Sequence, residues 1–462
     1  MKIKKLIFVI VYFTLSCSTK EIKEENIEKE YLQLKNISII DGKGTPIQSN
    51  KSIIIQNNKI FKIIENDNSS FDYKSKIIDC TNKFVIPGLY DTHTHATILN
   101  YDSINGHSDE VNFEASFHSL KYFIKYGVTT IRSVAGPTIE SIKLRETIKK
   151  NSKIISPRIF CTGYALNTFS GGPFIKTSTE GEIRKEIKKQ INSGVDFIKV
   201  YSSLNPKQIK IAIDEAHMHN VKVIGHLQNT SWTEASKLGI DFITHAADWN
   251  VNHLSKEYQQ NYNPSMKGRL YWLENIDLDG KLINNMIYSM RKSKVIFDPT
   301  LIVFHTKFWG NNKLHIHNNL IRLMHPVIVN MWETGSYVKD WDSNDFILAQ
   351  TLWSKLLALC KKIYDNKIIL TTGSDTPNPW VIPGYSIHQE MQLLVEAGIS
   401  ENEVIKIATY NGALALNEEN ERGSVEELKI ADLIILNSNP LLNIKNTLDI
   451  KYVIQNGELI SN

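Results

Sequence analysis

The sequence predicts an α/β protein: a (β/α)8 barrel of the TIM type, joined to a small β-sandwich domain that both ends of the chain build together. Two rhythms carry the prediction. After residue 84, eight short apolar runs alternate with helical stretches, the pattern of parallel strands separated by crossover helices, and eight is the number that closes a barrel. Before residue 84 and beyond about 420 that rhythm gives way to short alternating strands with turn residues between them. A chain of 462 residues, 42% of them hydrophobic, has the material for such a barrel and a smaller companion.

Taken in order, the chain begins with "MKIKK" and "LIFVIVYFTLS", a basic stretch and then an apolar one too short to span a bilayer, which is the form of an export signal. Cys17 follows at once. "TLSC" resembles a bacterial lipobox, with Leu15 two positions before the cysteine where that pattern usually has three. The expectation is a lipoprotein-type signal at 1–17, lipidation of Cys17, and a charged tether at 18–33. Ordinary cleavage would instead leave a periplasmic protein. Residues 34–84 and 420–462 supply the small domain through "ISIIDG", "KSIIIQNNKIFKII", "SKIIDC", "KIADLIILNSNPLL" and "KYVIQNGELI".

Residues 85–419 are the barrel, whose runs fall at 83–93, 127–134, 157–163, 195–201, 221–226, 240–245, 294–300 and 367–375. Between them "EASFHSLKYFIKY", "GEIRKEIKKQINS", "NPKQIKIAIDEAHMHN" and "DGKLINNMIYSMRKS" place apolar residues three and four apart, as core-facing helices do. Residues 247–280 and 301–345 read as long loops rich in Trp, Tyr, Asn and His, and such insertions sit over the catalytic end of a barrel.

The 53 basic and 49 acidic residues are scattered, so no basic stripe exists to neutralise a nucleic-acid backbone. Cys80, Cys161 and Cys360 lack the close spacing of a zinc finger or redox pair and read as core residues.

In a parallel barrel the carboxyl ends of all strands open on one face, so residues that end different strands converge. Asp91, His93 and His95 end the first run, Lys199 lies in the fourth, His226 ends the fifth, His245 the sixth and Asp375 the eighth. One strand-end histidine would mean little, but polar residues ending five such runs form a constellation. Other histidine pairs of the same spacing fail this placement. His217 and His219 lie within a helix, where residues two apart diverge by about 200°, and His315 and His317 lie in an insertion.

Through "IPGLYDTHTH", "GVTTIRS", "GVDFIKVY", "VIGH", "DFITHA" and "TTGSDTP", with "GSVEELKIADLIIL" near the end, residues 34–460 resemble the metal-dependent amidohydrolase superfamily. The likeness is to its imidazolonepropionase and prolidase-like branch, in which a lysine is carboxylated. The resemblance implies that His93 and His95 hold one divalent ion and His226 and His245 a second, both zinc, with Asp375 as a carboxylate ligand and carboxylated Lys199 as the bridge. It implies hydrolysis of a carbon–nitrogen bond in an amide or dipeptide-like small molecule by metal-activated water, with Asp375 as proton shuttle. Tyr201 and His388 are candidates for substrate contact.

There are departures from the family pattern. Asn229 stands where ring deaminases of the superfamily carry a glutamate, Ser133 follows Arg132 where related dipeptidases have aspartate, and "GGP" replaces "GGH" at Gly171, Gly172 and Pro173. Two alternatives stay open, a ring deaminase or cyclic amide hydrolase and a non-catalytic, metal-containing surface binding lipoprotein.

Overall fold

The computed structural model describes residues 31–66, 75–102, 106–311, 319–335 and 337–460. The export signal, Cys17, nearly all of the tether, His315 and His317 lie outside them.

Eight parallel strands form the barrel: Leu89–Thr94, Val128–Ser133, Arg158–Cys161, Phe197–Val200, Lys222–Gly225, Phe242–Thr244, Ile296–Asp298 and Ile369–Leu370. Seven fall inside their apolar runs, and the first ends one residue beyond its run at Thr94. Neighbours pair in sequence order. A bridge from Thr162 to Phe197 joins the third strand to the fourth, and one from Thr94 to Thr376 closes the eighth onto the first.

Alternation along the strands explains how polar groups come to sit inside this barrel. Ile198, Val200, Val223 and Ile243 face outward to the helices and join the main core, whereas Phe197, Ile224 and Phe242 point inward and pack in a separate aromatic layer with Tyr90. Two residues on from Phe197 and Phe242, on the same inward face, stand Lys199 and Thr244. The inside of the barrel is therefore apolar at its floor and polar towards the strands' carboxyl ends.

The helices expected from the 3.6 period form as Phe113–Lys125, Glu180–Ser193, Pro206–Met218 and Lys281–Lys292. Local chemistry sets their limits. Thr179 and Glu182 make a reciprocal capping box at the start of Glu180–Ser193, and Gly194, at φ 98°, closes it in the left-handed region that glycine reaches without a Cβ clash. The segments read as loops after the sixth and seventh strands are instead largely helical, with Met266–Asn275, Leu301–Phe308 and Pro326–Thr334 among their elements. Their aromatic residues pack against the barrel: Trp249, Trp272 and Phe304 are buried in the main core.

The small domain takes Tyr31–Ile39, Gln48–Gln56, Lys59–Glu65 and Ser75–Pro87 from one end of the chain and Leu433–Leu436, Ile450–Gln455 and Glu458–Ile460 from the other. They form one seven-stranded sheet in which Ser75–Pro87 pairs with both Tyr31–Ile39 and Leu433–Leu436. The sheet wraps on itself, and a bridge from Lys59 to Ile430 brings its far edge back to the C-terminal segment. Leu34, Ile53 and Ile60 meet Leu433, Ile435 and Ile454 in the enclosed core. Ile434 and Leu436, on the opposite face of the same strand, pack into the barrel's core and fasten the two units together.

His217 and His219 diverge as the helix requires, His217 to Asp241 and His219 to Glu215. Cys80, Cys161 and Cys360 are buried free thiols.

Candidate functional site

Ligand atoms of His93, His245 and Asp375 all lie within 4.8 Å of one another at the carboxyl ends of the strands. Asp375 Oδ1 stands 2.9 Å from His95 Nε2 and 3.6 Å from His93 Nε2. The His226 ring lies edge-on to His245, 4.3 Å between centroids. Four imidazoles and one carboxylate contributed by the first, fifth, sixth and eighth strands thus form a contiguous cluster.

Hydrogen bonds orient each ring. Nδ1 of His95 lies 3.3 Å from the Ala135 carbonyl and its Nε2 lies 2.9 Å from Asp375 Oδ1, a hydrogen bond in which the ring N–H donates to the carboxylate; a cation bound at Nε2 would move the ring proton to Nδ1. Nδ1 of His93 lies 2.8 Å from Asp298 Oδ1, whose ionised form accepts the Nδ1–H, and Nδ1 of His245 lies 2.9 Å from the Thr300 hydroxyl. Burial holds His93, His226 and His245 well below the usual histidine range, because a charged imidazole would be desolvated. They are neutral donors of lone pairs. Burial alone would raise Asp375, but the hydrogen bond from His95 and the Lys307 charge work against it, and the group is held below the usual carboxylate value. Neutral imidazole nitrogens with a hard carboxylate oxygen are a donor set that suits a divalent transition metal.

The backbone aims these groups at some cost. His245 (φ 76°), Thr300 (φ 44°), Asp375 (φ 57°) and Ala135 (φ 56°) adopt the left-handed region, which is uncommon for non-glycine residues and an outlier for β-branched threonine. Each turns the chain sharply where a strand leaves the barrel. Asp91 ties the first strand to the eighth by accepting from the Ser374 amide at 3.0 Å, the Ser374 hydroxyl and the His93 amide. Gly373 permits that approach, since a Cβ there would come 2.6 Å from His93 Cβ.

Lys199 is 1% exposed beneath the cluster. Its only hydrogen bond among the described residues is to Thr244 Oγ1, at 3.4 Å. Burial lowers its pKa to about 8, opposed by Asp298 and Asp375. More of the amine is therefore neutral near neutral pH than in an exposed lysine. Asp298 itself is pushed up to about 8 by burial, with Arg132 and Lys199 pulling the other way. Arg132 contacts Asp298 Oδ2 at 3.3 Å, donates to the Thr92 carbonyl at 2.7 Å and lies 4.3 Å from the Phe242 ring centre.

His93, His95, Lys199, His226, His245 and Asp375 are thus gathered at one mouth. Tyr201 joins them, its ring stacked on His226 at 4.2 Å and its phenol pushed above the usual range by burial. His388 does not join them: its Nδ1 meets the Thr447 hydroxyl and its Nε2 the Tyr126 carbonyl, each at 2.8 Å. Asp298 and Thr300, which orient two of the imidazoles, carried no expectation from the sequence. The signal was present for Asp298, a polar residue that follows the apolar "VIF" of the seventh run and ends its strand.

The model of the amidohydrolase family matches this chain over residues 84–259 and 318–460. A 5'-deoxyadenosine deaminase of Methanobrevibacter smithii is 22% identical over 404 residues, spanning 84% of this chain and 80% of that protein. Among solved structures, one assigned as a prolidase of Bifidobacterium longum superposes with a TM-score of 0.68 at 22% identity, covering 94% of this chain and 95% of that one. A Xaa-Pro dipeptidase with methionine bound in its active site gives 0.67 at 20%, covering 94% and 100%. At these identities the structural likenesses establish the fold.

Proposed function

Because the chain belongs to the amidohydrolase family, we propose that it hydrolyses a carbon–nitrogen bond in an open amide or dipeptide-like small molecule, using a metal centre at the barrel mouth. The observation that carries this reading is the convergence of His93, His245 and Asp375 within 4.8 Å, with His95 and His226 alongside. These five residues would hold one or two divalent ions, zinc being the best match to the donors, with carboxylated Lys199 between them. A cation bound there lowers the pKa of water and polarises the scissile carbonyl.

The remaining work falls to the side chains. Asp375, ionised and beside the imidazoles, takes a proton from the attacking water on a carboxylate oxygen and delivers it to the leaving nitrogen. Asp298 keeps the His93 proton on Nδ1, and Arg132 keeps Asp298 in place. The neutral amine of Lys199 attacks carbon dioxide, forming a nitrogen–carbon bond and releasing one amine proton to solvent, so that a buried cation becomes an oxygen donor. Tyr201, stacked on His226 and kept a phenol by burial, would donate to the substrate carbonyl.

The Methanobrevibacter relative makes ring deamination the second reading. Asn229 weighs against it: its side-chain amide donates to the Ser203 carbonyl at 3.0 Å, and a neutral amide cannot protonate a ring nitrogen.

The test is a hydrolysis screen of the purified, metal-loaded protein against N-acyl amino acids, dipeptides and 5'-deoxyadenosine. Amine release from open amides is expected; ammonia from the nucleoside alone would overturn the reading in favour of deamination, and bound metal with no turnover in favour of binding. Export and lipidation at Cys17 rest on the sequence alone. Cys17→Ser should abolish palmitate labelling and move the protein from the membrane to the soluble fraction.

A further inference from the structure

Two cations at the barrel mouth touch none of the groups to which the hydrolysis above assigns a proton or a ligand role. Arg269 stands on helix Met266–Asn275, after the sixth strand, and Lys307 on helix Leu301–Phe308, after the seventh. Both belong to residues 260–317, the stretch between the two segments that match the family model. Other largely buried arginines are each paired with a carboxylate: Arg132 with Asp298, Arg145 with Asp196, Arg158 with Asp432 and Arg422 with Glu418. No such partner lies within 4.0 Å of Arg269 or Lys307 among the described residues.

What surrounds them is aromatic. The Arg269 guanidinium lies 5.8 Å from the Trp249 ring centre, and its Nε is buried with no acceptor. Lys307 Nζ lies 4.9 Å from the Tyr337 ring centre. The two share one group of rings: Phe304, whose centre is 5.7 Å from Lys307 Nζ, lies 5.8 Å from Trp249, the ring beside Arg269. Their charges bear on the cluster as well, Lys307 on Asp375, His226 and His245, and Arg269 on Tyr201, His226 and Lys307 itself. Two like charges that repel one another and lose water, with only the more distant Asp375 to attract Lys307 and no ion pair within 4.0 Å of either among the described residues, destabilise the empty pocket, and a bound anion removes that penalty.

We propose that Arg269 and Lys307 form a recognition site for a free carboxylate on the substrate, so that the preferred substrates are N-acyl amino acids or dipeptides with an ionised C-terminus. The guanidinium fork matches the two carboxylate oxygens and the ammonium adds a point charge, while the aromatic walls favour an apolar side chain beside the carboxylate. The nature of the scissile bond rests on the hydrolytic reading above; the anion site does not.

The experiment measures, by calorimetry on metal-loaded protein, binding of the N-acetyl derivatives of phenylalanine, leucine and methionine and of their neutral C-terminal amides. Wild type should bind at least one acid roughly 10- to 100-fold more tightly than its amide, the weight of a charge-assisted hydrogen bond away from water. R269M and K307M should each remove most of that preference without loss of metal, and R269K and K307R should restore part of it. Acid and amide bound equally, no binding of either across the panel, or a preference undiminished in both Met variants would overturn the proposal. Hydrolysis of the same compounds is scored separately. Preference for the acid with no cleavage contradicts the hydrolytic reading and leaves the anion site standing; cleavage with no preference does the reverse.

Discussion

His245 and His388 are both buried, and burial lowers the pKa of both, His388 to about 4. They differ in what their nitrogens do. At the outer helix Tyr385–Glu396, His388 spends both on the Thr447 hydroxyl and the Tyr126 carbonyl, joining a helix to its neighbours. At the barrel mouth, His93 and His95 each spend Nδ1 on an orienting partner and turn Nε2 towards Asp375, and His245 spends its Nδ1 on Thr300. Burial and a shifted pKa are therefore common to a packing histidine and a ligand histidine; a ring nitrogen turned towards the other ligand groups separates them.

Substitutions can break or sharpen this contrast. The largest effect is expected from Asp375→Asn, which keeps the size but cannot carry the proton: kcat should fall by about 10^2- to 10^4-fold, while elemental analysis finds most of the metal retained. Asp298→Asn weakens the group that sets the His93 ring. Metal affinity should drop by about 10- to 100-fold in competition with a chelator, and an unchanged affinity would show that the Nδ1 contact does not tune the site.

His388→Ala should behave in the opposite sense, with metal content and metal affinity intact and stability lower by about 1–3 kcal/mol in urea unfolding, since the Tyr126 carbonyl loses its buried partner. The smallest effect concerns Glu390, which accepts from the Leu301 and Ile302 amides and is pushed up from 4.5 to about 8 by burial. The fold binds that proton more tightly than the unfolded chain does. Its stabilising contribution is full below about pH 4.5 and lost as pH rises through about 8. Glu390→Gln should accordingly flatten the fall in Tm across that window, and parallel Tm curves for the two proteins would contradict the assignment.

Much of the mouth was legible in the sequence because a parallel barrel strand leaves a local trace: an apolar run buried on both faces, ended by the residue that the mouth exposes. His93, His226, His245 and Asp375 each ended such a run. Asp298 followed the apolar part of one too, but nothing local distinguishes a carboxylate that binds metal from one that holds a histidine. Thr300 was hidden because its place depends on a left-handed backbone that no threonine advertises. Arg269 and Lys307 stand on different insertions, and their meeting depends on how two helices fold over the barrel. Those insertions looked like loops because their aromatic residues follow no clean helical period. The wrapping of the small sheet was equally out of reach, since Leu433–Leu436 pairs with Ser75–Pro87 across more than three hundred residues.

The central claim, that the imidazole nitrogens turned into the barrel mouth hold metal, is tested most directly by elemental analysis of wild type, His245→Ala and His388→Ala after dialysis. The account expects one or two tightly bound divalent ions per wild-type chain, retained in His388→Ala and lost in part or whole from His245→Ala. A wild-type protein that retains no metal, or equal content in all three, would contradict it.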